Sequence, residues 1–398
     1  MNDNKTSKNS IVAKFAVPVS FLILFFLAAN FTGCDPMTFW KRRSHLTDLV
    51  VDMIPPDFSY IQKILLPLFY TIQMSVTGTV LGTFFALVLS PFGAANLGFP
   101  AVIRRILRIV IQILRSFPAL ILALTATFLF GLGTFAGTFA ITLYTFAIMT
   151  KLTYEDASAA DVKAYQALRA MGVSKYVAYI HGILPEIIPG FLTNALYLLE
   201  TNVRHSSILG YVGAGGIGLL LNEKISWLEY DKVGTILLML FLTVCVIEYF
   251  SRYLTALIRK ERTIKKEQAR LLLLFLAALF LICTFTLSLP DFSRTSPQTL
   301  RNMFAGFLQP DWSFFFSAEK DGLGYLLLET VCIAFIGTVI GAIVSAPLAF
   351  LNTKRFVPAP VSFLFNLVIM VIRSVPFLVY GLIFIRVSGP GAFTGVLT

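Results

Sequence analysis

Charge is what this chain has least of. Only 13% of its 398 residues are Asp, Glu, Lys or Arg, against 57% hydrophobic residues. Soluble domains solvate their surfaces with about a quarter charged residues, so this shortage excludes an ordinary soluble globular protein. Cysteine is scarce as well. Cys34, Cys245, Cys283 and Cys332 have no paired or metal-like spacing, and three of them fall inside apolar stretches as small fillers. The histidines, His45, His181 and His205, are equally scattered, so no metal centre or catalytic triad is indicated. No Gly-x-x-x-x-Gly-Lys-Ser/Thr loop occurs, so the chain does not hydrolyse ATP by that route.

What is present is hydrocarbon-soluble sequence, with a mean hydropathy of +0.80 and 38 phenylalanines. Apolar runs at 15–32, 65–90, 102–130, 135–153, 187–211, 232–257 and 271–290 are each near the length a helix needs to cross a bilayer. The net charge of +11 lies mostly beside these runs, which is positive-inside topology and not a nucleic-acid surface. Lys5, Lys8 and Lys14 precede the first run, so the N-terminus is placed inside. That choice puts the polar stretch after residue 153 and the run from Arg259-Lys260-Glu261-Arg262 to Arg270 on the same, cytoplasmic side. Lys41-Arg42-Arg43 falls outside and is discordant. Residues 33–64 are then external, with Pro55-Pro56-Asp57-Phe58-Ser59 as an ordered turn. Phe31-Thr32-Gly33-Cys34 faintly resembles a lipoprotein cleavage site, but the spans that follow favour an uncleaved anchor.

The longest polar segment with helical periodicity runs from Tyr154 to Leu221. Val162, Tyr165, Leu168 and Met171 give a short helix with one apolar face, and Gly172 supplies a stop. Val177, Ile180, Ile183 and Leu184 start a second helix that Pro185 and Pro189 interrupt. A short amphipathic helix projecting from a membrane body suits a groove on a soluble partner.

Gln166-Ala167-Leu168, Gly172 and Ile183-Leu184-Pro185 resemble the EAA loop of ABC-importer permeases. ALRAMG at 167–172, ILPEIIPGFL at 183–192 and LETNVRHSSILGYVGAGGIG at 199–218 are more narrowly similar to permeases of the PhnE type, for phosphonates and phosphate esters. The resemblance implies an all-α, polytopic bundle with the MetI-like permease fold in the cytoplasmic membrane of a bacterium. It further implies that Gln166, Ala167, Leu168, Arg169, Gly172, Ile183, Leu184 and Pro185 couple the chain to a separate ATPase dimer. ATP and Mg would be held on that ATPase, with no cofactor bound by this chain. A solute-binding protein would deliver cargo outside, and a second permease copy would complete the pore. Gln166 stands where the family usually has Glu.

Charged residues inside spans are costly in lipid and are candidate function by default. Arg115 precedes Ser116 and Pro118, a helix-bending site, and Arg373 stands in the same context. Glu200 and Arg204 are four apart with the acid first, the better order for pairing. Two readings stand open: an internal ion pair that lets both be buried, or arginines that bias a passage toward phosphorus oxyanions. Asn202 shares this stretch. Gly213, Gly215, Gly216 and Gly218 follow a span and not a strand, so they are no dinucleotide loop and are expected to form a flexible external gate. An ion-coupled secondary transporter of small anions remains an alternative, with Glu200 its best carboxylate, as does an ABC permease for another small solute. A membrane enzyme is disfavoured, since no catalytic constellation converges.

Beyond Arg270 the chain repeats itself. Gln309-Pro310-Asp311-Trp312-Ser313 echoes the external turn, and Glu329-Thr330 to Gly341 echoes Tyr70-Thr71 to Gly82. Arg373-Ser374-Val375-Pro376 repeats Arg115-Ser116-Phe117-Pro118 at an offset of 258, 373 minus 115, and Gly395 repeats Gly137 at the same offset. The expected divisions are an anchor and external segment at 1–64, a first permease unit at 65–258 with its coupling loop at 154–186, a basic linker at 259–270 and a second copy at 271–398. The second copy would stop short of a coupling loop, as a fragment or as a unit completed by another chain.

Overall fold

The computed structural model describes residues 18–261, 265–290, 311–317 and 322–398, together with 298, 301, 302, 305, 306, 309 and 319. The basic run before residue 15, Arg262 and Pro310 lie outside the described residues.

Regular structure among the described residues is helical. Five helices are long and apolar enough to cross a membrane, or up to eight if each of three bent pairs is one span. The first helix, α1, is Pro18–Phe31. Short helices α2 (Pro36–Lys41) and α3 (Arg43–Asp52) follow. After a 3-10 turn at Phe58–Tyr60 comes α4, Ile61–Gly93. The expected span 102–130 is in fact two helices, α5 (Ala101–Ser116) and α6 (Ala119–Phe130), bent by 94°. The reason is local: Pro118 lacks the N–H that a continuous helix needs, and Phe117 takes an extended conformation. Next are α7 (Thr134–Ala159), α8 (Lys163–Ala170), α9 (Lys175–Gly182) and α10 (Leu184–Leu209). Then come α11 (Ile217–Ser226), α12 (Tyr230–Ile258) and α13 (Lys266–Phe285). The last helices are α14 (Trp312–Phe316), α15 (Leu323–Asn352), α16 (Ala359–Ser374), α17 (Phe377–Ser388) and α18 (Ala392–Leu397).

Two compact units emerge. One takes its described residues from Met1–Ile54 and Phe304–Thr398, the other from Pro55–Met303. This grouping crosses the boundaries expected from the repeat. In the first unit α1 packs on α15 through Phe21 against Phe335, ring centroids 5.3 Å apart, and Phe31 against Tyr325 at 5.1 Å. In the second, α13 packs on α4, where the Gln73 amide donates to the Cys283 carbonyl at 3.1 Å and the Thr286 hydroxyl at 2.8 Å. Helices apolar on every side carry no face signal, so their neighbours are not written in their periodicity.

The repeat itself is visible as geometry. Asp57 accepts from the Ser59 amide at 2.9 Å and hydroxyl at 2.6 Å, and Asp311 does the same with Ser313 at identical distances. The bend after Arg373, between α16 and α17, is 86°.

The core of the second unit is the pairing of α4 with α7, crossed by α10. Gly78 and Gly82 lie directly against Ile141, Thr142 and Thr145, so the two backbones approach closely, as small residues allow within membranes. Thr71, Ser75, Thr79 and Thr83, spaced by four along α4, each bond the carbonyl four residues back. That row leaves hydroxyl oxygens along one edge of α4, facing α10.

Candidate functional site

Two places carry the residues that the sequence singles out. The first is the hairpin α8–α9 between α7 and α10. Tyr165, buried, anchors α8 by donating its hydroxyl to the Leu97 carbonyl at 2.6 Å. Around it pack Ala94, Ala157, Ala178, Tyr179, Ile183 and Ile187. Gly172, at φ +83°, ends the helix in the left-handed region, with the Val173 amide donating to the Leu168 carbonyl at 3.2 Å. The Arg169 guanidinium donates to the Val173 carbonyl, so it braces the turn from inside the hairpin. Lys175 donates to the Gly98 carbonyl.

The second helix of the hairpin is not interrupted by the prolines as expected. It stops at Gly182, and a 70° bend at the fully buried Ile183 separates it from α10. Leu184 starts α10, Pro185 sits in its first turn where no N–H is needed, and Pro189 follows within it. Gly182 is there for space: a Cβ on it would lie 2.8 Å from the Tyr165 backbone nitrogen. Gln166 and Ala167 are exposed, and so is Met171 at 77%. The exposed residues of α8 and its end are Lys163, Ala164, Gln166, Ala167, Ala170 and Met171, with Lys163 paired to Asp161 at 3.2 Å.

The second place is the seam between α4, α7 and α10. Asn202 is fully buried, and its amide nitrogen donates to Thr79 and Thr145, each at 2.8 Å. The Ser75 and Ser206 hydroxyls lie 3.0 Å apart, and Ser206 reaches the Thr71 carbonyl. Glu200 and Arg204 form an ion pair within α10, both side chains largely withdrawn from solvent. Arg115 is exposed at the end of α5, beside the bend. Arg373 is likewise exposed at the end of α16, in the other unit.

The ion pair has a testable consequence. Breaking a buried pair by removing one partner is far costlier than removing both. Glu200→Gln should lower the amount of folded chain in membranes more than Glu200→Gln with Arg204→Gln, measured by quantitative immunoblot of detergent extracts. Equal loss in both would show that the charges do not chiefly serve each other.

The glycine run, expected as an external gate, is held to neighbouring segments by backbone hydrogen bonds. Gly213, Gly215 and Gly216 have positive φ. The run is pinned: the Gly133 amide donates to the Gly213 carbonyl at 3.0 Å, and the Ile217 amide to the Thr71 hydroxyl at 2.8 Å. Gly218 is buried at the start of α11.

Two features escaped the sequence reading. Glu248, 5% exposed in the span α12, pairs with Arg252 at the same spacing as Glu200 with Arg204, so the same search would have found it. At the end of α11, Lys224 is buried between Glu223 and Glu229, both at 2.9 Å, with the rings of Trp227 and Tyr60 over its ammonium. The bond to Glu223, then that to Glu229, holds the Lys224 ammonium above the usual lysine range. No group of His, Cys, Asp and Glu able to hold a metal occurs among the described residues.

Residues 78–289 match the family described as binding-protein-dependent transport system inner membrane component. The phosphite transport system permease protein PtxC of Stutzerimonas stutzeri is 31% identical over 226 residues, 56% of this chain and 82% of its own length. The phosphate-import permease protein PhnE of Mycolicibacterium smegmatis is 24% identical over 359 residues, 88% of this chain and 66% of its own. Among solved structures, the inward-facing MetNI methionine ABC transporter aligns over 51% of this chain and 99% of its own at 20% identity and a TM-score of 0.46.

Proposed function

The chain belongs to the family of binding-protein-dependent transport system inner membrane components, and from that premise we propose that it is the membrane subunit of an ATP-driven importer of phosphorus oxyanions. The observation that carries the coupling part is the hairpin α8–α9. It is anchored to its own unit by Tyr165, and Gln166, Ala167 and Met171 are exposed on it. Such a rigidly held helix face fits a groove on a soluble protein, here a separate ATPase dimer that holds ATP and Mg and drives alternating access. A solute-binding protein delivers the cargo on the opposite side, and a second permease unit, from this chain or another, completes the passage.

The cargo part rests on the relatives, whose names refer to phosphite and phosphate, and on exposed arginines at the span bends. A guanidinium matches phosphoryl oxygens in forked geometry. The test is uptake of radiolabelled phosphite, phosphate and methylphosphonate by cells deprived of their own importers. These cells carry the chain together with a candidate partner ATPase and solute-binding protein. Uptake of at least one anion should persist when an ionophore collapses the proton gradient and stop when the ATPase is inactivated. Uptake abolished by the ionophore alone, with ATP maintained, would overturn the ATP-driven reading in favour of ion coupling.

A further inference from the structure

The bend after Arg115 separates two helices of opposite character. Helix α6 carries no charge and runs back along α7: the Phe130 ring meets those of Phe135 and Phe139 at 5.1 and 4.9 Å, and Leu122, Ala123 and Ala126 share a core with Ala136, Ala140 and Ile141. A helix that follows α7 crosses the membrane with it, so α5, turned by 94° from α6, lies across that direction. Its residues suit such a position. No acid occurs in α5. On a turn of 3.6 residues Arg104, Arg105 and Arg108 share one side, while Val102, Ile103, Ile106, Ile109, Val110 and Ile113, between 43% and 67% exposed, spread over the other. Crossing would strand guanidiniums in hydrocarbon, and full solvation would wet the isoleucines; only the boundary satisfies both sides.

The roll of α5 about its axis is set by Arg108. Its Nε donates to the Gly93 carbonyl at 3.0 Å, and its guanidinium lies 5.0 Å from the centre of the Tyr154 ring. Tyr154 belongs to the charged end of α7, with Lys151, Glu155 and Asp156. Arg104 and Arg105 have no such tie: among the described residues no carboxylate pairs with either. The repeat shows that the fold does not require them. At the offset of 258, Arg104, Arg105 and Arg108 correspond to Ser362, Phe363 and Asn366 of α16, which still ends in an arginine, Arg373, and still bends by 86°. Arg115 therefore goes with the bend, and the other three go with something that α16 does not do.

We infer that α5 is an interfacial helix, lying in the leaflet on the side of the hairpin α8–α9, and that Arg104 and Arg105 hold the phosphate groups of anionic lipids. Charge complementarity selects the occupant: two guanidiniums with no acid of their own meet a surface of phosphates, and the valines and isoleucines enter the acyl layer beneath it. The site reaches the coupling element. The connection from α4 to α5 accepts the Tyr165 hydroxyl at the Leu97 carbonyl and the Lys175 ammonium at the Gly98 carbonyl. Lipid held by α5 thus steadies the base on which the hairpin stands.

Two measurements on the full chain test this. In a background with Cys34, Cys245, Cys283 and Cys332 replaced by alanine, V102C, I109C and I113C lie on one side of α5 and are labelled with a small fluorophore. In vesicles of phosphatidylcholine with one quarter phosphatidylglycerol, quenching by lipids that carry a nitroxide near the headgroup or near the chain end gives the depth of each label. All three should sit at one shallow depth. Labels that step down through the leaflet, by up to about 16 Å from the first to the last, would make α5 half of a crossing and overturn the inference. The second measurement is the thermal midpoint in nanodiscs with and without phosphatidylglycerol. Anionic lipid should raise it by several degrees for the wild type, and half-molar salt should remove the gain. R104Q/R105Q should show no gain, while K354Q/R355Q, in the other unit, should keep it. A gain that survives in R104Q/R105Q overturns the lipid site. So does an arginine-dependent rise produced by free inorganic phosphate in phosphatidylcholine alone, with none from phosphatidylglycerol, which would assign the two guanidiniums to a soluble anion.

Discussion

Gly218→Ala should nearly abolish the folded protein, while Gly190→Ala should leave it unchanged. A Cβ on Gly218 would lie 1.8 Å from the Ser207 carbonyl oxygen and 2.7 Å from its carbon. Seen from the other strand of the crossing, a Cβ on Gly210 would meet the Leu219 nitrogen at 2.4 Å and the Gly218 Cα at 2.6 Å. The end of α10 and the start of α11 therefore cross backbone on backbone, and neither obstructing group is a flexible side chain that can swing away. The backbone has to separate, yet it is tied on both sides, by the Ala214 amide to the Leu209 carbonyl and by the Ile217 amide to Thr71. Overpacking a core typically costs about 1–3 kcal/mol. Against fixed backbone the cost should exceed about 4 kcal/mol, the range reserved for such clashes. Gly190, also on α10, has nothing within 4 Å of its missing Cβ and is exposed. The check is the thermal midpoint and yield of the detergent-purified chain for both variants. A Gly218→Ala protein as stable as the wild type would mean that α10 and α11 do not cross as tightly as the structure shows.

That clash also marks where sequence reasoning stops. A run of glycines signals either freedom or close approach, and only the neighbours decide. Here the neighbours are Ser207 and Thr71, from α10 and α4. By contrast, the bend at Phe117–Pro118 was legible, because proline removes a specific hydrogen bond wherever it sits, although its 94° amplitude was not. The hairpin was legible in its stop and in Tyr165 and Leu168 of its apolar face, but Met171, expected on that face, is exposed, and the anchor was not legible. The Tyr165 hydroxyl reaches Leu97, a residue in the turn after α4, and no periodicity links the two. The hydroxyl row of α4 carried a period-four signal at Thr71, Ser75, Thr79 and Thr83 that was there to be read. Its pairing with Asn202 needed the third helix. Arg169, which the family resemblance places among the coupling residues, has its guanidinium turned inward onto the Val173 carbonyl, a contact that no spacing announces.

Leu168→Pro should leave the chain in the membrane and stop import. Leu168 lies within α8 and packs against the cluster around Tyr165. Proline there removes the helical N–H and drives its ring into the carbonyl of Ala164, a penalty of about 3 kcal/mol or more. It falls on a helix of 8 residues, too short to hold its shape without its anchors. The Leu168 carbonyl also closes the Gly172 turn through Val173, so the outward face of Gln166, Ala167 and Met171 loses its geometry together with the turn. The spans α7 and α10 keep their own packing in the cores around Met149 and Phe191, which is why membrane level should stay near wild type. With the ATPase co-expressed, basal ATP hydrolysis should continue while cargo-dependent hydrolysis and uptake fall to background. Arg169→Glu should lose less, because it opens the turn without breaking the helix. Met171→Asp should reduce coupling with the hairpin intact, since this 77% exposed side chain bonds nothing within it. Import at the wild-type rate by Leu168→Pro would remove α8 as the coupling element, and the ordering of the three variants separates damage to the hairpin from damage to the surface it presents.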